Sequence, residues 1–248
     1  MSGETSETGR SLEARSSDDP HAPFLSIIIP VLDEAGSIGP LVRRLRDTPD
    51  CEIVVVDGGS GDCSAAEARA AGADGVLVSP RGRAVQQNTG AAHARGDALL
   101  FLHADCDPAA GFVEAIREAL GDLRCVGGCF RQRIDAAGAA YRLLEWGNAL
   151  RVRALKWAYG DQGIFVRREV FERLGGFPEL ALMEDLYFMK RLKRSGRIAL
   201  LDARLRVSPR RWQRRGVLRQ TLRNWALIAL AHCGVSPDRL ARFYAAVR

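Results

Sequence analysis

No stretch of the 248-residue sequence reaches the roughly 20 consecutive apolar residues that span a bilayer, so a membrane-spanning helix is excluded. A basic start followed by an apolar run is also missing, so no secretory leader is expected and the cytoplasm is the expected location. The six cysteines, Cys51, Cys63, Cys106, Cys125, Cys129 and Cys233, never fall in CxxC spacing. That excludes a zinc ribbon or a disulfide framework and leaves buried free thiols as the plain expectation. Bulky apolar side chains are almost absent before Phe24. Residues 1–23 therefore cannot offset their ordering entropy and read as a disordered tail. Acid is scarce at the other end, where Arg204 to Arg248 holds eleven arginines and one acid, Asp238. The tail is net −3, which leaves +9 for the rest of a chain whose total is +6. The basic end suits phosphates, anionic lipid or a plain solvated face. It comes with no recognisable nucleic-acid module, so nucleic acid is not an expected partner.

What is present is 47% hydrophobic residues, enough for the core of one domain over 24–248. Leu25 to Val31 and Ile53 to Asp57 are β-branched runs without polar alternation, as in strands covered on both faces. Helical spacing at Leu41, Val42 and Leu45 lies between them. Ser64 with Glu67 predicts a capping box opening a helix to Ala71. A strand near 75–78, a helix over 83–94 and a strand over 98–103 complete a βαβαβαβ half ending near residue 110, and a helix from Phe112 to Leu120 follows it. The half from 111 to 248 is less regular, with a strand over 125–134, a helix over 141–150, a short strand over 163–166, a helix resuming at Leu186 and two closing helices.

In open α/β sheets ligands gather where strands end. Leu32-Asp33-Glu34, Asp57-Gly58-Gly59-Ser60-Gly61-Asp62 and His103-Ala104-Asp105-Cys106-Asp107 each follow a strand, and all are acidic. Such a rim can hold a divalent cation or accept bonds from a ribose or nucleobase N–H. Asp62 alone reads more simply as a helix cap, as does Asp107 before Pro108. Gly58 and Gly59 let backbone approach a nucleotide. Arg81 and Arg83 open the next helix, where a diphosphate would meet cations and helix N–H groups, with Arg83 favoured. Gln86 and Asn88 on that helix read evenly as surface, capping or site residues.

The segments SIIIPVLDE, VVVDGGSGD, the strand ending in HAD, and Glu184-Asp185 resemble family 2 glycosyltransferases, which share the GT-A fold. The longer blocks GRAVQQNTGAAHARGDALLFLHAD, GDQGIFVRREVFERLGGFPELALMEDL and RRWQRRG look like the bacterial subgroup associated with arsenosugar and related small-molecule pathways. The resemblance spans about Phe24 to Tyr244. It implies a single α/β GT-A domain, a Rossmann-like mostly parallel sheet with helices on both faces. It implies nucleotide contacts from Pro30, Glu34, Asp57, Gly59, Arg83 and Ala104.

The family's metal motif, Asp-x-Asp, reads His103-Ala104-Asp105 here, so the resemblance makes Asp105 the ligand of Mg²⁺ or Mn²⁺. His103 takes the place of the first carboxylate, where an imidazole can ligate the metal, Mn²⁺ better than Mg²⁺, or donate a hydrogen bond, with a buried, satisfied histidine as the plainer alternative. Asp185 becomes the general base of an inverting transfer, with Glu184 orienting it or the acceptor. Gly160, Asp161 and Gln162 fall where sugar or acceptor is held. Arg211 and Trp212 match an Arg-Trp element that closes over substrates, with domain-wall packing as the rival role for Trp212. The expected partners are a nucleoside-diphosphate sugar, UDP-linked by preference, and a small-molecule or lipid acceptor. Peripheral membrane contact through the basic C-terminal helix and a homodimer are left open. The competing functions are a sugar nucleotidyltransferase, for which no Gly- and Lys-rich entry loop is found near residue 34, and a non-catalytic nucleotide-sugar binder, which His103 in place of Asp would suit.

Overall fold

A computed structural model describes residues 23–237 and 239–241. The expected tail, Pro23 apart, lies outside the described residues. The first half runs β1 (Leu25–Val31), α1 (Ile38–Leu45), β2 (Cys51–Asp57), α2 (Ser64–Ala70), β3 (Gly75–Val78), α3 (Arg83–His93) and β4 (Ala98–Phe101). The second half runs β5 (Cys106–Pro108), α4 (Phe112–Gly121), β6 (Cys125–Ile134), α5 (Ala139–Leu155), a 3-10 turn (Gly160–Gln162), β7 (Ile164–Arg167), α6 (Arg168–Arg173), α7 (Glu184–Leu192), β8 (Arg197–Val207), α8 (Arg210–Arg215) and α9 (Val217–His232). The strands form an eight-stranded sheet in the order β3-β2-β1-β4-β7-β6-β8-β5.

The β-branched runs produce this sheet because side chains alternate across it. Ile27, Ile29, Val31, Ile53 and Val55 enter one hydrophobic core, and Ile28, Val54 and Val56 enter the other. Each fully buried side chain of this kind is worth about 1.5–3 kcal/mol, so a one-residue slip of register would be costly in both layers. Helix α3 crosses β1 at very close range. A Cβ on Gly90 would stand 2.5 Å from a methyl of Ile28, so only glycine permits the approach. Below it, buried Glu52 accepts from Ser26 Oγ at 2.6 Å and from Arg95 Nε at 2.8 Å. Burial works against this carboxylate, yet the bonds from Ser26 and Arg95 hold it below its usual range.

Strands β3, β2, β1 and β4 are parallel, as a Rossmann-like half requires. Beyond β4 the sheet is mixed: β7 runs antiparallel between β4 and β6, and β5 is antiparallel to β8. The strand expected over 98–103 stops at Phe101, and the helix expected over 141–150 extends over 139–155. The capping box at Ser64 does not form. Ser64 is the first helical residue, and its hydroxyl donates to Asp62 while accepting the Glu34 N–H at 2.8 Å. Glu67 is drawn instead to the Gly36 N–H, at 2.8 Å.

Candidate active site

Because β2, β1 and β4 are neighbours, the three acidic loops meet at one edge of the sheet. Most of their acids are occupied in joining the loops to one another. Asp33, in a left-handed conformation with φ 54°, accepts the Gly61 N–H at 2.8 Å. Asp62 accepts from Ala35 at 3.0 Å and from Ser64, and these bonds hold its carboxyl below the usual range. Buried Asp57 receives the Ser60 N–H and hydroxyl on one oxygen, at 2.9 and 2.6 Å. An acidic rim with every carboxylate turned toward a cation is therefore not what the fold builds. Asp107 is likewise no cap, since it pairs with Arg44 at 3.2 Å and with Arg206.

The cation-binding chemistry concentrates after β4. Donor atoms of His103, Asp105 and Cys106 all lie within 4.8 Å of one another. His103 and Cys106 are buried, and the Cys106 thiol leans on Asp105 Oδ1 at 3.7 Å. An imidazole beside a carboxylate suits Mn²⁺ better than Mg²⁺, which prefers oxygen alone, whereas the thiol is a softer donor than either ion favours. Cys106, read from sequence as an inert thiol, is the member of this trio that composition could not reveal.

Glu184 and Asp185 open α7 behind Met183, whose left-handed φ of 67° swings the first turn toward the trio. Asp185 Oδ2 accepts the Gly160 N–H at 2.7 Å, and Oδ1 accepts the Leu186 N–H at 2.7 Å. Gly160 also touches His103, for a Cβ there would lie 2.6 Å from His103 Nε2 and 3.6 Å from Asp185 Oδ2. The 3-10 turn thus joins the cation side of the site to the carboxylate side. Asp185 keeps part of its surface open to a cleft of about 140 Å³, while protein closes around the rest. That enclosure, followed by the neighbouring Glu184 carboxylate, pushes it up to about 6 from an ordinary 3.8, against the pull of Gly160, Arg83 and Leu186.

Arg83 lines the same cleft and pairs with buried Glu184 at 3.1 Å. Glu184 thereby holds Arg83 at the cleft, a contact additional to the orienting of Asp185 or of the acceptor expected of it. Asp161 lines the cleft, but Gln162 does not. Fully buried Gln162 accepts from Arg151 at 2.7 Å and from the Tyr159 N–H at 3.2 Å, so its amide braces the turn from below. Trp212 is buried in the core with Leu205 and Val207, the packing that its rival role in the domain wall would require. Nothing is described of the Arg211 side chain.

Two residues of even standing in the sequence prove structural. Gln86 donates to the carbonyls of Val31 and Val56 at 2.8 and 2.9 Å, tying together the ends of β1 and β2. It also explains Gly58, whose Cβ would fall 2.9 Å from the Gln86 side chain, while Gly59 has a left-handed φ of 84° in open space. Asn88 holds the backbone of Phe177 through both its oxygen and its nitrogen, each at 2.9 Å. Glu34 is half-buried beside these loops, Pro30 stands next to Val31 at the end of β1, and Ala104 is packed into the core. The far wall of the cleft is α9, through Asn224, Leu227 and Ile228. No sequence motif announced that contact.

The sequence profile described as Glycosyl transferase family 2 matches residues 26–175. Among solved structures, Staphylococcus aureus TarS superposes with a TM-score of 0.58 at 18% identity, covering 74% of this chain and 36% of that one. Its 1–349 fragment in complex with UDP-GlcNAc gives 0.57 at 19% identity, covering 74% and 58%. Glucosyl-3-phosphoglycerate synthase from Mycobacterium tuberculosis, in complex with phosphoglyceric acid, gives 0.53 at 20% identity, covering 74% and 71%. At these identities the likeness is one of fold, and the chain spans about a third of the length of TarS. No curated protein matches the chain in sequence.

Proposed function

Because this chain belongs to glycosyl transferase family 2, we propose that it moves a sugar from a nucleoside diphosphate, UDP by preference, to an acceptor hydroxyl with inversion at the anomeric carbon. The observation that carries the reading is Asp185. Its carboxylate is fixed by two backbone N–H groups on the floor of the cleft, and its proton affinity is raised toward neutral pH. Such a group is poised as a general base. Asp185 takes the proton of the acceptor hydroxyl as that oxygen attacks the anomeric carbon, and the bond from that carbon to the diphosphate oxygen breaks.

Arg83, steadied by Glu184, faces the charge that builds on the leaving diphosphate. A divalent cation, held by Asp105 with His103 and Cys106, would neutralise that diphosphate when bound. Asp57, Glu34 and the turn at Gly59 frame the nucleoside end, and Asp161 offers a carboxylate to sugar hydroxyls. The block from Gly82 through Asp105, with its likeness to a small-molecule subgroup, favours a small soluble acceptor. No described helix is long and apolar enough to cross a membrane. Peripheral contact through α9 belongs to the same proposal, since Leu222, Trp225 and Leu230 form an exposed stripe opposite its cleft face.

The test is a panel of UDP-, GDP-, CDP- and TDP-sugars with and without Mn²⁺, read by thermal shift and by release of the nucleoside diphosphate. A Mn²⁺-dependent shift with a UDP-sugar and slow UDP release are expected. Absence of both with every donor would remove the reading, whereas a shift without release would favour a non-catalytic binder.

A further inference from the structure

Among the described residues, seven of the nine exposed large hydrophobic side chains lie on just two helices, α5 and α9. Helix α5 is the less expected. It is 17 residues long, yet Val152 is its one buried residue. Its rooted side carries Tyr141 and Leu144 against the core. The opposite side carries Leu143, Trp146 and Leu150 at spacings of three and four, 68%, 64% and 49% exposed. Gly147 sits in that same stripe, and a Cβ there would meet nothing within 4 Å. A single helix thus presents an apolar ridge to open space.

Beside the ridge, between α5 and the outer strands β6 and β8, is a groove of about 240 Å³ lined by Arg131, Arg133, Arg142, Arg153 and Arg204 together with Glu145. Glu145 pairs with Arg142 at 2.9 Å and with Arg133 at 3.4 Å, and Asp202 on the rim pairs with Arg131 at 3.1 Å. Arg153 and Arg204 are exposed and make no ion pair among the described residues. The groove therefore keeps a clear positive excess directly next to tryptophan and leucine. A helix with an apolar stripe bordered by arginines has the composition of one that lies in a membrane interface.

We propose that α5 docks on an anionic phospholipid bilayer, with Leu143, Trp146 and Leu150 entering the interface and the groove taking a lipid phosphate through Arg153 and Arg204. Charge complementarity selects this occupant, because the ridge is bordered by five arginines against Glu145 and Asp202, a positive excess among the described residues. The inference is independent of the reading of the cleft, since none of these residues touches Asp185, Arg83 or the trio after β4.

The test uses the full chain in co-sedimentation with phosphatidylcholine vesicles that contain or lack phosphatidylglycerol. Binding to the anionic vesicles alone, weakening as salt rises, is expected. Leu143→Ser/Trp146→Ser/Leu150→Ser should lower it by about tenfold or more through lost apolar burial, and Arg153→Glu/Arg204→Glu by at least about tenfold through charge. Both variants change exposed side chains, so their melting temperatures and Mn²⁺-nucleotide thermal shifts should match the parent chain. The arginine pair keeps the test open if the triple variant fails to fold. Undiminished vesicle binding in both variants would leave docking to α9 without any part for α5 and overturn the proposal. Equally fatal would be absence of sedimentation with a dimer lost in the triple variant, which would assign the ridge to a second copy. Stabilisation by inorganic phosphate that Arg153→Glu/Arg204→Glu abolishes, again without sedimentation, would reduce the groove to a phosphate site and overturn it too.

Discussion

Asp185→Asn should separate catalysis from stability in opposite directions. A rise from 3.8 to about 6 in the folded chain corresponds to about 3 kcal/mol, at 1.36 kcal/mol per tenfold. The sign follows from proton counts. Between pH 4 and 6 the folded state holds a proton on Asp185 that the unfolded state has released, so stability falls as pH rises through that window. Above it, the native protein carries the full cost of an enclosed carboxylate beside Glu184.

Asparagine removes that cost but can accept only one of the two N–H bonds that Asp185 accepts with its two oxygens, a loss of about 1 kcal/mol. The variant should therefore be more stable than the parent by about 1–2 kcal/mol at pH 7.5, or about 2–8 °C in melting temperature. The advantage should shrink to nothing or reverse at pH 4. Turnover should drop at least about a hundredfold, while the Mn²⁺-nucleotide thermal shift is retained. In the parent, log(kcat/KM) should rise with unit slope up to about pH 6 and then level. Scanning calorimetry at pH 4, 5, 6 and 7.5 beside a UDP-release assay checks all of this. A melting difference that does not change with pH would refute the enclosed-carboxylate argument, and unchanged turnover would refute the base.

Gly160→Ala should cost at least about tenfold in kcat, because the new methyl would stand 2.6 Å from His103 Nε2 and displace that ring. Near-parental steady-state rates in that variant would show that the contact is slack. Asp105→Asn should weaken Mn²⁺-dependent UDP binding by about tenfold to a hundredfold, as isothermal titration would show, with metal-free UDP binding little changed. Gln86→Ala should destabilise by about 1–3 kcal/mol through two lost bonds to buried carbonyls, of which that of Val31 keeps the Gly58 N–H, which a urea melt can read. Glu52→Gln should cost about 2 kcal/mol at pH 7 and progressively less as pH falls through the folded carboxyl's depressed range, because the neutral amide mimics the protonated acid. An equal loss at pH 3 and pH 7 would contradict that account.

The first half of the fold was legible because two-sided burial leaves a direct trace. Ile27 to Ile29 and Ile53 to Val56 have no polar alternation because both faces of those strands are covered. Strand β8 left a weaker trace, since Arg197, Arg204 and Arg206 interrupt its apolar residues where the sheet faces solvent. At the site, the loops and Asp105 followed from strand ends, while the role of Asp185 came through family likeness, because acids in a first helical turn are common for local reasons. Cys106, Gln86 and the α9 wall stayed hidden for a different reason. Gln86 and the α9 wall acquire their places from contacts far away in the chain, as when Gln86 reaches the carbonyl of Val31, whereas the Cys106 thiol lies against its neighbour Asp105 and composition leaves it unmarked. The partner of Asp33 was hidden on the same ground, since it is the distant Gly61 N–H, whereas Asp62 accepts the Ser64 N–H at the start of α2, close to the capping role read for it.

The position of Gly160 has an evolutionary consequence. Its missing side chain is the space into which His103 fits, and its N–H is a bond that Asp185 uses. Residues 103, 160 and 185 are therefore not free to vary one at a time. A lineage that restored an aspartate at 103 would vacate room beside the turn and could then tolerate alanine at 160. A lineage keeping histidine is bound to glycine, so the three positions should be inherited as a set.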